Sequence, residues 1–585
     1  MPYGPQFSLH DIPFSSFGSW LSLSPVLDQH RRSDDLHLIS HHQGMHPVLR
    51  LTPHADGRPQ PTEWHAAPTL LTWSGPHGSV EAAFENAQAL RLRGQGLDLR
   101  VASATDRLTP FTGTYFFRDP VDGSHVFTSY ETGRRYRVTV LRGQTARVAG
   151  DQSLGEARRE LTLSAAPLEE GWEAVIEAIE TARPPGESSV PHERVVACAR
   201  RAFDDYAHSL IPWANRSTPA AELASYVLWS ATVAPTGFVQ RPAVLMSKHW
   251  MNKVWSWDHC FNALALAEAD PQLALDQFLL PFDHQDEAGA LPDSVTHSEV
   301  LHNFVKPPIH GWALARLRRT ITLNEDQLLD IYGRLERWTQ FWLTARRGPG
   351  QRLPHYQHGN DSGWDNATAF DAHRTVVTAD LTAFLVLQLD ELAVLARELD
   401  RHEDAVQHTK TADALLDALL TELWNGSCFA ARSAHGDAEP VTSDSLLHLM
   451  PIVLGERLPQ PVSDRLAEDI AAHLTPYGLA TELPGSPQYE ADGYWRGPIW
   501  APATVLIEDG LRRAGHTALA DTISARFRNL CETHGFAENF DALTGEGLRD
   551  RAYTWTAAGY LLLARDHVRR TTGTARHHQL PNQKR

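Results

Sequence analysis

Cysteine is scarce in this sequence. Its 585 residues include four cysteines, Cys198, Cys260, Cys428 and Cys531, and no two of them form a CxxC pair. Such isolated cysteines predict neither a disulfide framework nor a cysteine zinc site. No run of about 18 uncharged apolar residues occurs, so the sequence predicts no membrane-spanning helix. The opening MPYGPQFSLHDIPF has no basic segment followed by an apolar run, which predicts a cytoplasmic protein.

Basic residues are also fewer than acidic residues. Lysine and arginine number 53 against 71 aspartates and glutamates, which gives a formal net charge of −18. Repulsion from phosphate groups argues against nucleic-acid and membrane partners. The sequence also lacks an HExxH metal motif, a GxSxG nucleophile elbow, a phosphate-binding glycine loop and a dinucleotide fingerprint. These absences predict an enzyme or binding protein without cofactor or metal, and they leave the oligomeric state open.

The first 190 residues have the pattern of β-structure. Short β-rich runs alternate with turn sequences such as GPHG, GQG, DPVDG and ETG. This alternation predicts an antiparallel β-sandwich domain over residues 1–190. The clearest runs are Leu36–Ser40, Pro47–Thr52, Thr69–Trp73, Leu97–Ala102, Tyr136–Leu141 and Arg159–Leu163. A Pro/Gly/Ser-rich joint follows at residues 183–192 and cannot be helical throughout.

Helical periodicity dominates the rest of the chain. A linker helix is predicted within residues 191–215, followed by twelve helical segments within 216–575 and a flexible tail at 576–585. The twelve segments are 219–234, 257–268, 271–285, 307–320, 325–346, 379–399, 402–424, 442–454, 461–474, 498–514, 516–533 and 552–568. Twelve helices with long loops after every second one favour an (α/α)6 barrel, and no fixed-period repeat indicates a solenoid.

Tryptophan is concentrated where a helical core does not need it. Of 17 tryptophans, several lie in predicted loops or at helix starts, including Trp255, Trp257, Trp364, Trp495 and Trp500. An indole ring can stack on the apolar face of a sugar while its N–H bonds a hydroxyl. These residues therefore indicate carbohydrate binding, with core packing as the alternative.

Carboxylates accompany those tryptophans. The loop HGNDSGWDNATAF contains Asp361 and Asp365, and the loop GFAENFDALTGEG contains Glu538 and Glu546. Glycoside hydrolysis requires one protonated acid and one carboxylate that activates water or attacks carbon. A carboxyl group beside an indole is desolvated, which favours its protonated form. Composition does not choose within either pair, and Asp541 is more typical of a turn residue.

Five motifs in order give the sequence a family resemblance. WSWDHCF (255–261), HQDEAGALPD (284–293), GNDSGWDNA (359–367), YWRGPIW (494–500) and FAENFDALTGEG (536–547) resemble the glycoside hydrolase family 63 clan. That clan includes processing α-glucosidase I, bacterial α-glucosidases and the hydrolases of mannosylglycerate and glucosylglycerate, with trehalase-like relatives. The resemblance implies an (α/α)6 catalytic barrel after a β-sandwich and a small sugar as substrate.

The resemblance also implies roles for individual residues. The general acid falls on Asp365 and the general base on Glu538, while Asp258 would hold sugar hydroxyls. The other implied sugar-contacting residues are Trp255, Trp257, Gln285, Trp364, Tyr494, Trp495, Arg496 and Trp500. Ala367 and Ala542 depart from the Ser and Pro that many relatives carry, and neither touches the implied catalytic pair.

The sequence therefore predicts an inverting, exo-acting α-glycosidase for a gluco- or manno-configured oligosaccharide or glycosylglycerate. The alternatives are a trehalase-like hydrolase, a polysaccharide lyase on the same toroid and a carbohydrate-binding protein without activity. A glycerate-bearing substrate would require a cationic pocket, for which Lys248, Lys253 and Lys306 are candidates and ordinary structural lysines are the alternative.

Overall fold

The chain divides into two compact units. A computed structural model describes residues 4–151, 158–181, 190–435 and 440–578. The first unit comprises Met1–His208, Ser225–Lys253 and Thr296–Ser298, and the second comprises the remaining residues. The predicted domain bounds of 1–190 and 216–575 stay predictions, because the first unit also takes in residues 225–253. Most of the joint predicted at 183–192 lies outside the described residues.

Two antiparallel sheets form the N-terminal part of the chain. Their strands are β1 (Leu21–Val26), β2 (Arg32–Ser40), β3 (His46–Ala55), β4 (Arg58–Pro59), β5 (Glu63–Ala67), β6 (Leu70–Gly75), β7 (Gly78–Asn86), β8 (Ala89–Gln95), β9 (Asp98–Ser103), β10 (Thr114–Arg118), β11 (His125–Ser129), β12 (Arg134–Arg142), β13 (Gln144–Ala149), β14 (Glu160–Ser164) and β15 (Gly171–Ile179). One sheet has the order β1-β2-β3-β9-β14-β13 with β4 paired to β3, and the other has the order β10-β11-β12-β15-β8-β7-β6-β5.

One hydrophobic core lies between these sheets. Leu38 and Leu49 from the first sheet share it with Trp73, Leu90 and Phe127 from the second, and all five are fully buried. Alternate residues of a strand point to the same face, so apolar side chains at every second position line such a core. The predicted β-sandwich is therefore confirmed, and all six predicted runs overlap strands.

The remaining part of the chain is helical. Its α-helices are α1 (His192–Leu210), α2 (Ala221–Ala231), α3 (His259–Leu266), α4 (Pro271–Leu279), α5 (His310–Leu317), α6 (Glu325–Thr344), α7 (Ala379–Glu398), α8 (His402–Ala418), α9 (Gln460–Ala472), α10 (Ala501–Arg513), α11 (Thr517–His534) and α12 (Thr554–His578). None of the described helices is long and apolar enough to cross a bilayer. The tail predicted at 576–585 begins inside α12, and residues 579–585 lie outside the described residues.

Six elements, which alternate along the chain with outer helices, close into an inner ring. In order they are α3, α5, α7, the segment Leu446–Arg457, α10 and α12, and α12 packs against α3. All eight residues of α3 are buried, as expected for helices covered on every side. The helices α4, α6, α8, α9 and α11 pack on the outside of this ring. The predicted (α/α)6 barrel is confirmed.

Close packing within the ring depends on a glycine. A Cβ atom at Gly311 of α5 would lie 2.2 Å from the Cα atom of Gln388 in α7. Any side chain at this position would push the two inner helices apart. The main-chain N–H of Gly311 also donates to the side-chain oxygen of Gln388 at 3.2 Å. This hydrogen bond fixes where along their lengths the two helices touch.

The helix predicted at 442–454 is wrong in type. The structure has a 3-10 segment at Leu446–Arg457, interrupted at Gly455, where φ is 56°. Pro451 lies inside it and has no N–H for an α-helical hydrogen bond. The segment is nevertheless buried from Leu446 to Gly455 and occupies the position of an inner helix.

Candidate active site

Asp365 lies in the loop between α6 and α7. A 3-10 turn at Gly359–Ser362 ends at Gly363, whose φ of 74° is in the left-handed region. A Cβ atom at Gly363 would lie 2.5 Å from the Trp257 ring, so glycine allows the loop to rest on this indole. The Asp365 side chain follows two residues later and retains 28% of its exposed surface.

The structure separates the roles of Asp361 and Asp365. The Asp361 carboxylate is buried and accepts hydrogen bonds from the main-chain N–H groups of Val305 (3.1 Å) and Gln357 (2.9 Å). Arg346 donates to it at 2.7 Å. Asp361 therefore stabilises the loop, whereas the Asp365 side chain is partly exposed.

Three acidic side chains and one lysine lie close together beside this loop. The Nζ atom of Lys306 lies 3.1 Å from Asp293 Oδ1 and 3.8 Å from Asp365 Oδ1. Burial raises the pKa of Asp258 to about 8, and the charge of Lys306 opposes that shift. Burial also raises the pKa of Asp365, with Lys306 lowering it and Asp293 raising it. Both shifts favour carboxyl groups that hold a proton.

Asp258 does not cap the helix that follows it. It directly precedes α3, yet its side chain makes no capping hydrogen bond. Its Oδ2 atom is buried and has no hydrogen-bond partner among the described residues. A buried oxygen without a partner is costly, and a sugar hydroxyl could satisfy it. The role of Asp258 in binding sugar hydroxyls stays a prediction.

Glu538 comes from a second loop. It precedes the short strand Asn539–Phe540, which pairs with Gly547–Leu548, and its main-chain N–H donates to the main-chain carbonyl of Asp550 at 2.6 Å. Its side chain is buried. Burial, with the charge of Asp550, raises the pKa of Glu538 to about 8, while a hydrogen bond from the Tyr494 hydroxyl lowers it.

The other carboxylates of this loop have different surroundings. Glu546 is exposed. Asp541 accepts hydrogen bonds from the main-chain N–H groups of Leu543 (2.7 Å) and Thr544 (3.2 Å), which makes it the turn residue that the sequence indicated. Glu538 is therefore the one carboxylate of the three that is enclosed.

The segment YWRGPIW connects the two carboxylate loops. On one side, the side chain of Asn366 accepts from Trp495 N–H and donates to Gly493 O, each at 3.0 Å. On the other side, Ile499 and Phe540 exchange two main-chain hydrogen bonds of 2.7 and 3.1 Å. Asp365 is adjacent to Asn366, and Glu538 is two residues before Phe540, so this segment fixes both loops.

Tyr494 shows that both carboxylates face one region. Burial, followed by the negative charges of Glu538 and Asp365, raises the pKa of its hydroxyl well above the ordinary value. Its main chain has a φ of 63°, which is unusual for a residue with a side chain. The guanidinium of Arg549 lies 4.9 Å from the Tyr494 ring centre and holds the ring in a cation–π contact.

The loop tryptophans pack against one another. Trp495 and Trp500 are stacked with centroids 4.1 Å apart and an interplanar angle of 3°, and Trp364 lies 4.7 Å from Trp495. Trp364, Trp495 and Trp500 are almost fully buried, as is Trp257. Core packing therefore accounts for these four rings, and their contact with a sugar stays a prediction. Trp255, like Tyr494, is only partly buried.

Two residues predicted to donate hydrogen bonds to the sugar are engaged within the protein. The side-chain nitrogen of Gln285 donates to Gly289 O (2.9 Å) and Arg334 O (3.1 Å). Arg496 donates to the carbonyl of Asn366 at 2.8 Å and also pairs with Asp371. Their contact with a substrate stays a prediction, and in the structure Arg496 supports the loop of Asp365.

The three candidate lysines of a cationic pocket have different surroundings. Lys248 is buried in the first unit, where its Nζ atom donates to Ser15 Oγ at 2.8 Å and Ser19 O at 2.5 Å. Lys248 is therefore structural, as the alternative interpretation held. Lys253 belongs to the same unit and is partly buried. Lys306 alone lies beside Asp365.

Sequence reasoning missed several residues of this region. Asp293 ends the motif HQDEAGALPD, and Asn366 follows the implied acid directly, so their motifs contained the signal. Tyr553 and Trp555 lie outside the motifs. Burial and then the charges of Glu538 and Asp258 raise the pKa of Tyr553, which places it near both. Trp555 packs edge-on against Trp500.

Among the described residues no group of three or more His, Cys, Asp or Glu side chains could hold a metal.

Much of the helical region matches a known protein family. Residues 251–556, just over half of the chain, match the family described as the mannosylglycerate hydrolase MGH1-like glycoside hydrolase domain. The mannosylglycerate hydrolase of Rubrobacter radiotolerans is 25% identical over 419 residues, which cover 55% of this chain and 92% of that protein.

Solved structures share the fold. A GH63 mannosylglycerate hydrolase from Thermus thermophilus, crystallised with glucose, has a TM-score of 0.53 at 23% identity and covers 59% of this chain and 100% of that one. A bacterial glucoamylase complexed with acarbose has a TM-score of 0.61 at 11% identity and covers 97% of this chain and 96% of that one. The chain belongs to the mannosylglycerate hydrolase MGH1-like family of glycoside hydrolases, within the GH63-like group, and is a glycosidase.

Proposed function

We propose that this glycosidase is an inverting, exo-acting α-glycosidase in which Asp365 is the general acid and Glu538 the general base. The observation that carries the proposal is the double attachment of the YWRGPIW segment. Through Asn366 it holds the loop of Asp365, and through Ile499 it holds the strand that follows Glu538. Two carboxyl groups from distant parts of the sequence are thereby kept near enough to Tyr494 for their charges to raise the pKa of its hydroxyl.

The surroundings of each carboxyl group suit its role. Asp365 would protonate the leaving oxygen, and both burial and the nearby Asp293 favour its protonated form. Glu538 would remove a proton from the attacking water. Its raised pKa makes it a strong proton acceptor once ionised, and the Tyr494 hydroxyl favours the ionised form. Asp258, whose Oδ2 atom has no partner among the described residues, would accept hydrogen bonds from sugar hydroxyls.

The substrate class follows from the family and the aromatic residues. Trp255 and Tyr494 are partly exposed, and Tyr494 rests edge-on against the buried indole of Trp500, an arrangement that suits stacking of a pyranose ring. The relatives are named for mannosylglycerate, and the T. thermophilus enzyme was crystallised with glucose. We therefore expect an α-linked gluco- or manno-configured sugar, with a glycosylglycerate among the substrates to be tested.

Two neutralised variants test the catalytic assignment. Asp365→Asn and Glu538→Gln should each lower turnover by about 10²–10⁴-fold, because each removes one proton-transfer group. Glu546→Gln is the matched control, since Glu546 is exposed in the same loop as Glu538 and should retain full activity. A folded Asp365 or Glu538 variant with near-normal turnover would overturn the assignment of that residue.

A substrate panel tests the chemistry. It would contain aryl α-glucosides, trehalose, kojibiose-type disaccharides, mannosylglycerate and glucosylglycerate. Hydrolysis of trehalose alone would identify the trehalase-like alternative. Failure to release sugar from every α-linked substrate would instead favour the lyase or the carbohydrate-binding protein.

A further inference from the structure

Lys306 contacts the loop of Asp365 in two ways. Its Nζ atom donates to the main-chain carbonyl of Asn360 at 2.9 Å and lies 3.8 Å from Asp365 Oδ1. Asn360 belongs to the 3-10 turn that leads into Asp365. Lys306 itself is only 5% exposed. One buried ammonium group therefore bonds to the main chain of the turn and lies within ion-pair distance of the carboxyl group that follows it.

Asp293 limits the charge that Lys306 presents to Asp365. Asp293 Oδ1 is the nearer carboxylate at 3.1 Å, and Asp293 is 8% exposed. Asp258 adds a third buried carboxyl group to the cluster. Three ionised carboxylates around one ammonium would leave an excess of negative charge in a buried place, which is unfavourable. The cluster is therefore closer to neutral when one of its carboxyl groups retains a proton.

We propose that Lys306 and Asp293 form a positioning pair for the general acid. Lys306 orients the carboxyl group of Asp365, and the negative charge of Asp293 offsets the tendency of the Lys306 charge to ionise that group. This inference rests on the proposed role of Asp365. It assigns neither residue to the reacting atoms. It also removes Lys306 from the candidates for binding a glycerate carboxylate, because its ammonium group already bonds to Asn360 O and lies within 4 Å of Asp293 and Asp365.

Other charged groups also face Asp365. The charge of His358 lowers the pKa of Asp365, while Tyr494 and Asp258 are near enough to respond to its ionisation. His358 is exposed, stacks on Phe304 and accepts a hydrogen bond from Asn360 N–H at 3.1 Å. These groups remain unchanged in variants of Lys306 and Asp293, so they do not account for a difference between such variants.

The test compares Lys306→Met, Asp293→Asn and the double variant in the full-length enzyme. Each is assayed with an aryl α-glycoside that has a poor leaving group and with the corresponding α-glycosyl fluoride, which needs little protonation. The pH dependence of kcat/KM is measured for both substrates. The limb of this profile that reflects ionisation of Asp365 is the one that is present with the aryl glycoside and lost with the fluoride. Asp365→Asn is assayed alongside to test the acid assignment separately.

We expect the two single variants to move that limb in opposite directions by about one pH unit. Loss of the cation in Lys306→Met raises the pKa of Asp365, and loss of the anion in Asp293→Asn lowers it. The double variant, which removes one charge of each sign, should fold with nearly the original Tm and return the limb close to its original pH. Lys306→Met and the double variant both lack the lysine. Each should lose about 10-fold more activity on the aryl glycoside than on the fluoride, because the carboxyl group of Asp365 is no longer oriented.

Two results would overturn the positioning role. One is an equal loss on both substrates with the limb unmoved, as for a purely structural lysine. The other is a raised KM for glycosylglycerates alone in Lys306→Met, as for a lysine that binds the aglycone. Full activity of Asp365→Asn would instead overturn the proposed function, so the two failures are distinguishable.

Discussion

The side-chain oxygen of Asn366 accepts a hydrogen bond from the main-chain N–H of Trp495 at 3.0 Å. Its nitrogen donates to Gly493 O at the same distance, so one side chain bonds to the main chain on both sides of Tyr494. Because Asn366 directly follows Asp365, the position of the proposed acid depends on the loop that carries the Tyr494 hydroxyl. The proposed acid and base are thereby fixed relative to one another.

Replacement of Asn366 tests this dependence. Asn366→Ala removes both hydrogen bonds and should lower kcat by about 10- to 100-fold, because small misplacements of reacting groups are costly. Two hydrogen bonds contribute about 1–3 kcal/mol together, so a modest fall in Tm should accompany the loss. Asn366→Asp keeps the acceptor for Trp495 N–H but places a negatively charged oxygen against the carbonyl oxygen of Gly493. Its kcat should fall by a comparable factor. Normal kcat in both variants would show that Asn366 does not position the site.

Ionisation of Glu538 should make the free energy of unfolding depend on pH. Its pKa is raised from 4.5 to about 8 in the folded chain. The folded state therefore keeps this proton between these pH values while the unfolded state releases it, and stability falls as pH rises through that window. Glu538→Gln cannot ionise, so it should be more stable than the wild type at pH 9, by roughly a few kcal/mol at most.

Denaturant unfolding at pH 5 and pH 9 measures this difference. The stabilisation by Glu538→Gln should be small at pH 5 and clear at pH 9. Glu546→Gln, at an exposed position of the same loop, should show no such dependence. A Glu538→Gln variant that is no more stable than the wild type at pH 9 would contradict the burial of a proton-holding carboxyl group.

Chelation should leave the activity unchanged. The proposed chemistry uses only carboxyl groups, and the described part of the chain has no cluster of three metal-binding side chains. Full turnover is expected after EDTA treatment and dialysis. Loss of turnover that a single divalent ion restores would reveal a metal requirement.

The fold was largely predictable because its periodicities are strong. All six predicted strand runs overlap strands, and eleven of the twelve predicted barrel segments overlap described α-helices. The exception, 442–454, has apolar residues at helical spacing, but Pro451 and Gly455 prevent a continuous α-helix. Hydrophobic spacing reports which residues are buried, and it does not report whether the main chain can form every hydrogen bond.

The candidate site was predictable only as far as its motifs extend. Asp361 and Asp365 share one loop and one chemistry, and only the bonds from Arg346 and two main-chain N–H groups to Asp361 distinguish them. Likewise, Lys306 had the charge expected of a ligand-binding residue. Its partners Asp293 and Asn360 come from other segments, so its actual contacts depend on packing that spacing along the chain does not reveal.

The anomer released first tests the central claim most directly. If Asp365 and Glu538 act across a water molecule, an α-linked substrate must yield the β-anomer of the sugar before mutarotation. Such a pair is expected to be about 6.5–9.5 Å apart, whereas a nucleophilic carboxylate would need about 5–5.5 Å and would retain configuration. Proton NMR during the first minutes of hydrolysis distinguishes the two. Our account predicts initial β-anomer, and initial α-anomer would contradict it.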